Sequence, residues 1–203
     1  PTAILVGFYA SGYRGPVMQT MVLETAPVSI LFFDTADERV TTKRILDFSV
    51  SWKTLTSQYY EFLSKVVGDP IMKQRFRLMA SEERDHRKIL RKYRRELVGS
   101  SQIELEDEEK RQLRDRFVFL EVNDRATLQV AIDCILEAER ESNRFFTHAS
   151  GKIENREGRI FLRLLAEEGL IHQSMVDELM EYADARDVRF LKNSAAIAAA
   201  ARR

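Results

Sequence analysis

The last proline of this chain is Pro70, and the 133 residues after it contain none. A proline inside a helix costs about 3 kcal/mol, because it removes a donor and clashes with the preceding turn. Its absence over such a length, in sequence rich in Leu, Glu and Arg, permits long uninterrupted helices. The other prolines, Pro1, Pro16 and Pro27, all lie near the start. The chain therefore reads as an irregular opening followed by helix, which argues against all-β and α/β folds.

Apolar spacing divides the helical part. Ile45, Phe48, Trp52, Leu55, Tyr59, Phe62, Leu63 and Val66 recur at i, i+3, i+4 and i+7, predicting a helix that Gly68-Asp69-Pro70 ends. A second helix follows, with Ile71, Phe76, Met79, Ala80, Ile89 and Leu90 on one stripe, and stops near Gly99-Ser100-Ser101. Residues 102–124, with the acidic run Glu104–Glu109, read as a solvated crossover. A third helix is expected from about Arg125 to Ser150, capped by Asn123 or Asp124. After a turn over Gly151–Gly158, a fourth runs from about Arg159 to Asp184. The expected domain plan is an N-terminal arm over 1–38, a bundle over 39–190 with its crossover at about 99–124, and an Ala-rich tail over 191–203. Two short links and one long crossover make the bundle a pair of antiparallel hairpins, an all-α fold.

Composition removes several function classes. Lys+Arg and Asp+Glu cancel, and no basic stripe interleaved with aromatics stands out, so nucleic acid is not an expected partner. No run approaches the roughly 20 apolar residues of a membrane span; the apolar runs Ile4–Ala10 and Val28–Phe33 are far shorter. A cytoplasmic location is expected. Cys134, the lone cysteine, cannot form an internal disulfide or a multi-cysteine metal site and reads as a small buried hydrophobe. There are three histidines.

Two of them are related by an internal repeat. Shifting the first hairpin by 86 residues puts Asp47 on Asp133, Tyr59-Tyr60 on Phe145-Phe146 and Leu78 on Leu164. It puts Glu82 on Glu168 and His86 on His172. Glu83 and His86, at i and i+3, share a helix face and can address one metal ion. A Glu-x-x-His on each of two helices, with a Glu from each of the other two, is the di-iron carboxylate pattern.

The run from Phe76 to His86, with "YYEFLSKVVGDP" before it, resembles the rubrerythrin family of ferritin-like proteins over roughly residues 40–184. The resemblance implies a ferritin-like four-helix bundle, iron, and redox chemistry linked to oxygen or peroxide. It also implies a ligand Glu seven residues before an aromatic on the first and third helices. Counting back from Phe146 gives Glu139; counting back from Tyr60 gives Lys53. Three residues before His172 stands Gly169, where the family has Glu. Glu83, His86, Glu139 and His172 thus match ligand positions, and Lys53 and Gly169 are altered ones. Glu168, four before His172, is a further candidate ligand.

Charge narrows the cofactor. Four carboxylates balance two divalent ions, but Glu83, Glu139 and Lys53 sum to −1. Two ions would leave a large uncompensated buried charge, so at most one ion per chain, iron or another divalent metal, is expected. Two readings stay open. In one, Glu83, Glu139 and His172 hold a single ion, Lys53 pairs with Glu83, and any activity is that of a metal-dependent oxidoreductase with an external electron donor. In the other, Lys53, Glu83, Glu139, His86 and His172 form a metal-free network in a structural or assembly subunit. The resemblance implies a homodimer or a place in a larger assembly. Tyr59 and Tyr60 read as core, Trp52 as filling volume vacated at the altered position, and His148 as surface.

Overall fold

The computed structural model describes residues 41–185, which form five helices. These are α1 (Thr42–Val66), α2 (Pro70–Leu97), α3 (Asp107–Arg116), α4 (Arg125–Lys152) and α5 (Arg156–Ala185). The expected arm over 1–38 and the Ala-rich tail lie outside the described residues. The long helices are four, arranged as two hairpins, α1 with α2 and α4 with α5, in an all-α bundle. Among the described residues no helix is long and apolar enough to cross a membrane.

Local chemistry sets the helix ends. Asp69 accepts from the backbone N–H groups of Ile71 and Met72, both at 2.9 Å, while Pro70 occupies the first turn, where no donor is lost. Gly99, at φ 101°, ends α2 in the left-handed conformation that favours glycine. Asp124 caps α4 through Thr127 N at 2.8 Å. The link from α4 to α5 is shorter than the glycines suggested. Asn155 accepts from Gly158 N at 2.7 Å, so helix begins at Arg156 and Gly158 lies inside it.

The crossover departs most from expectation. It contains α3, started by a capping box between Glu106 and Glu109. Glu109 is buried and receives Arg44 Nε at 2.7 Å, and Leu113 enters the core. A second anchor holds the start of the crossover. Buried Arg94 pairs with buried Asp47 and donates to the carbonyls of Ser101 and Gln102, both at 2.7 Å.

The α2 stripe also needs correction. Phe76, Met79 and Leu90 face the core, but Ile71 and Ile89 are 48% and 40% exposed. They lie 18 residues apart, five helical turns, and so share an outward face. Trp52 is buried against Phe48 and Phe117, with ring centroids at 5.7 and 5.3 Å, so it packs towards the crossover. Lys53 itself takes the volume at the altered position.

Candidate metal centre

All four long helices send a polar side chain to the middle of the bundle. Lys53 comes from α1, Glu83 from α2, Glu139 from α4 and His172 from α5, each 3% exposed or less. Their positions follow from helical period: Lys53 stands seven residues before Tyr60, and Glu139 seven before Phe146. Both aromatic residues are core, so the residues two turns earlier point inwards as well.

The contacts are short. Lys53 Nζ donates to Glu83 Oε1 at 2.9 Å. His172 Nδ1 lies 3.2 Å from Glu83 Oε1 and 3.2 Å from Glu139 Oε1. The Tyr60 hydroxyl donates to Glu139 Oε1 at 2.7 Å. Two Glu–His contacts close the outside: His172 Nε2 to Glu82 Oε2 at 3.2 Å, and His86 Nε2 to Glu168 Oε2 at 2.6 Å. His86 Nδ1 lies 3.9 Å from Glu83 Oε2.

These contacts set the ionisation states. Burial alone raises the Glu83 carboxyl, but the Lys53 ammonium, with His172 and His86, holds it well below the usual range. Burial alone lowers Lys53, but Glu83 and Glu139 outweigh it and raise the ammonium. His172 is opposed by burial yet pushed up to about 10 by its hydrogen bonds to Glu139 and Glu83. His86 is raised in the same way by Glu168 and Glu83, against burial. Without metal, Glu83 and Glu139 therefore face the Lys53 ammonium and a His172 ring whose protonated form they favour.

The structure brings Glu83, Glu139 and His172 together: each offers one ligand atom, all three are buried, and these atoms lie within 4.8 Å of one another. His86 and Glu168 stand outside this triad as a pair. Gly169 packs α5 onto α4, where a Cβ would meet the Glu139 carbonyl at 3.2 Å. His148 is exposed, with Nδ1 on the Arg144 carbonyl at 2.8 Å. Sequence reasoning treated Tyr60 as plain core and overlooked its hydroxyl. The signal was there: at the offset of 86 its counterpart is Phe146, so the hydroxyl marks a site where the two hairpins differ.

Among the described residues this is a single three-residue group with the chemistry to hold a cation. Glu83 Oε2 and Glu139 Oε2 are buried with no hydrogen-bond partner, leaving coordinating capacity on both carboxylates. Two carboxylates and an imidazole suit iron, manganese or zinc. A second ion would need a carboxylate where Lys53 places an ammonium and another where Gly169 has no side chain.

Fold and site together define a ferritin-like carboxylate bundle. The sequence model of the Rubrerythrin family matches residues 45–180, and the chain belongs to that family. The hypothetical protein Pfu-1136390-001 from Pyrococcus furiosus shares the fold at TM-score 0.58 and 18% identity, over 70% of this chain and 89% of its own. A protein from Bacteroides fragilis, described as a dodecameric thioferritin and bacterioferritin-related, does so at TM-score 0.57 and 17% identity, over 71% and 88%. No curated protein matches the sequence significantly.

Proposed function

We propose that this protein is a one-ion member of its family, in which Glu83, Glu139 and His172 hold a single divalent cation, iron foremost. The observation that carries this reading is the buried triad, with its ligand atoms within 4.8 Å of one another. Iron held there would supply one-electron redox chemistry directed at oxygen or peroxide. The chain's own residues do the rest. Tyr60 holds the Glu139 carboxylate in place, Glu82 orients the His172 ring through Nε2, and Lys53 compensates the charge of Glu83. The rings of Tyr60, Phe76 and Phe146 exclude water around the carboxylates.

The test is metal analysis after anaerobic loading with Fe(II), and separately with Mn(II) and Zn(II). One equivalent per chain is expected, falling to none in Glu139→Ala and His172→Ala. Two equivalents, or none, would refute the reading. The second reading, a metal-free structural bundle, is favoured by one observation: Lys53 and His172 already lie within 2.9–3.2 Å of the two carboxylates and can pair with them in place of an ion. Absence of metal from every loading, with a folded protein, is its outcome.

Assembly belongs to the same reading. Of ten large hydrophobic side chains that are exposed among the described residues, eight lie on α2 and α5, including Ile71, Leu78, Leu164 and Ile171. We propose that this face packs against another copy of the chain, as a step towards assemblies of the kind named for the Bacteroides protein. Light scattering should show the oligomer dissociating in Leu78→Glu/Leu164→Glu. An unchanged mass would remove this face from the interface.

A further inference from the structure

We infer that Lys53 is the residue that limits this centre to one ion, its buried ammonium occupying the position that the offset of 86 pairs with the candidate ligand Glu139. The inference rests on the one-ion reading above and goes beyond it by naming what sets the stoichiometry.

The repeat gives the argument its geometry. Contacts of one hairpin reappear in the other at the offset of 86. His172 Nε2 meets Glu82 at 3.2 Å, and His86 Nε2 meets Glu168 at 2.6 Å. Tyr60 donates to Glu139, and its counterpart Phe146 presents its ring to Lys53, the counterpart of Glu139, with Nζ 5.3 Å from the centroid. The centre is therefore built of two equivalent halves. One half is Glu83, Glu139 and His172. The offset turns these three into Gly169, Lys53 and His86. The two altered positions lie in different hairpins, yet the offset assigns them to the same half. One half keeps every ligand; the other keeps only its histidine.

Lys53 makes the second half hostile to a cation. Its ammonium is fully buried, bonded to Glu83 Oε1, and lodged against the Phe146 ring, so it has no room to swing to solvent. Gly169 adds no donor, and a Cβ there would sit 3.4 Å from Glu139 Oε2. The same ammonium lowers the affinity of the first half, because it adds a positive charge beside the ion. It also pairs with Glu83 in the metal-free centre, so that an ion can load and leave without that carboxylate being left unpaired.

The experiment titrates Co(II) into wild type, Lys53→Met and Lys53→Glu, following visible absorption, metal stoichiometry and melting temperature. Lys53→Met keeps the length of the side chain and removes its charge. It should still bind one Co(II), about tenfold or more tighter than wild type, and melt lower without metal. Lys53→Glu places a carboxylate beside His86 and should take a second Co(II). If Lys53→Met is unfolded alone, refolding on one equivalent of Co(II) supports the inference, and failure to refold with metal overturns it. Unchanged or weaker binding by Lys53→Met overturns it, as does a Lys53→Glu that stays at one ion, which would assign the limit to Gly169. If none of the three proteins binds Co(II), it is the one-ion reading that fails.

Discussion

Tyr60→Phe removes one oxygen atom from the middle of the bundle and leaves the shape of the core alone. The lost group is the donor to Glu139 Oε1 at 2.7 Å, between residues that are fully buried. A phenyl ring is acceptable there: Phe146 occupies the equivalent position of the second hairpin, and the Tyr60 ring already packs edge-on to His172 with centroids 5.6 Å apart. The cost is thus that of one hydrogen bond to an ionised carboxylate, about 1.5–3 kcal/mol. Glu139 Oε1 retains the His172 contact at 3.2 Å, which softens the loss. About 2 kcal/mol is expected, or roughly 4–8 °C in Tm for a chain of this size. Urea and thermal unfolding of metal-free protein at pH 7 measure it. Tyr59→Phe is the control: its hydroxyl donates to the neutral Val118 carbonyl at 3.1 Å and should cost about 1 kcal/mol. A Tyr60→Phe loss below about 0.5 kcal/mol, or one no larger than that of Tyr59→Phe, would refute the assignment of a phenol donating to a buried carboxylate.

Three further perturbations test the rest of the core. Glu83→Leu strands the Lys53 ammonium and should cost about 3–5 kcal/mol, whereas Lys53→Met/Glu83→Leu should lie much nearer to wild type; a urea double-mutant cycle with additive losses would deny the coupling. His172 has a folded-state pKa raised from 6.5 to about 10. Its stabilisation is therefore complete below pH 6.5 and is lost as pH rises through about 10. The stability difference between metal-free wild type and His172→Gln should shrink over that window, and a difference that grows contradicts the protonated state. Arg94→Met leaves Asp47 buried without its guanidinium and unties Ser101 and Gln102, for an expected loss of about 3–5 kcal/mol with faster proteolysis at the start of the crossover; unaltered cleavage there would deny the anchoring role.

The helices were legible because proline and apolar spacing act locally. What was missed depends on partners far away in sequence. The acidic run Glu104–Glu109 has the composition of a solvated loop, yet Glu109 is buried because Arg44, 65 residues earlier, neutralises it. Gly158 read as part of a turn, but the Asn155 cap outweighs the cost of a glycine in the first helical turn. The α2 stripe had the right period and an uncertain phase, so Ile71 and Ile89 were placed inwards with Phe76. At the centre, the repeat singled out His86 and His172, the i, i+3 spacing added Glu83, and the family resemblance added Glu139. The sequence reading grouped His172 with Glu83 and Glu139 about one ion, but it did not foresee the two outer Glu–His contacts, because they depend on the antiparallel seam of α2 and α5. There His172 faces Glu82 and His86 faces Glu168.

Charge gives the histidine of the altered half a role. Against a balanced two-ion centre, the chain has given up two carboxylates and gained an ammonium, a change of three units towards positive. Dropping one divalent ion removes two of those units, so the proposed one-ion state would stand at +1. The remaining negative charge must come from close by, and the rim supplies it. Glu168 is held 2.6 Å from His86 Nε2 and Glu82 3.2 Å from His172 Nε2, each carboxylate half in solvent. A half-exposed carboxylate is cheaper to keep ionised than a buried one and still acts on the core through the imidazole it touches. His86 thus stands between Glu168 and the buried Glu83, whose Oε2 lies 3.9 Å from its Nδ1.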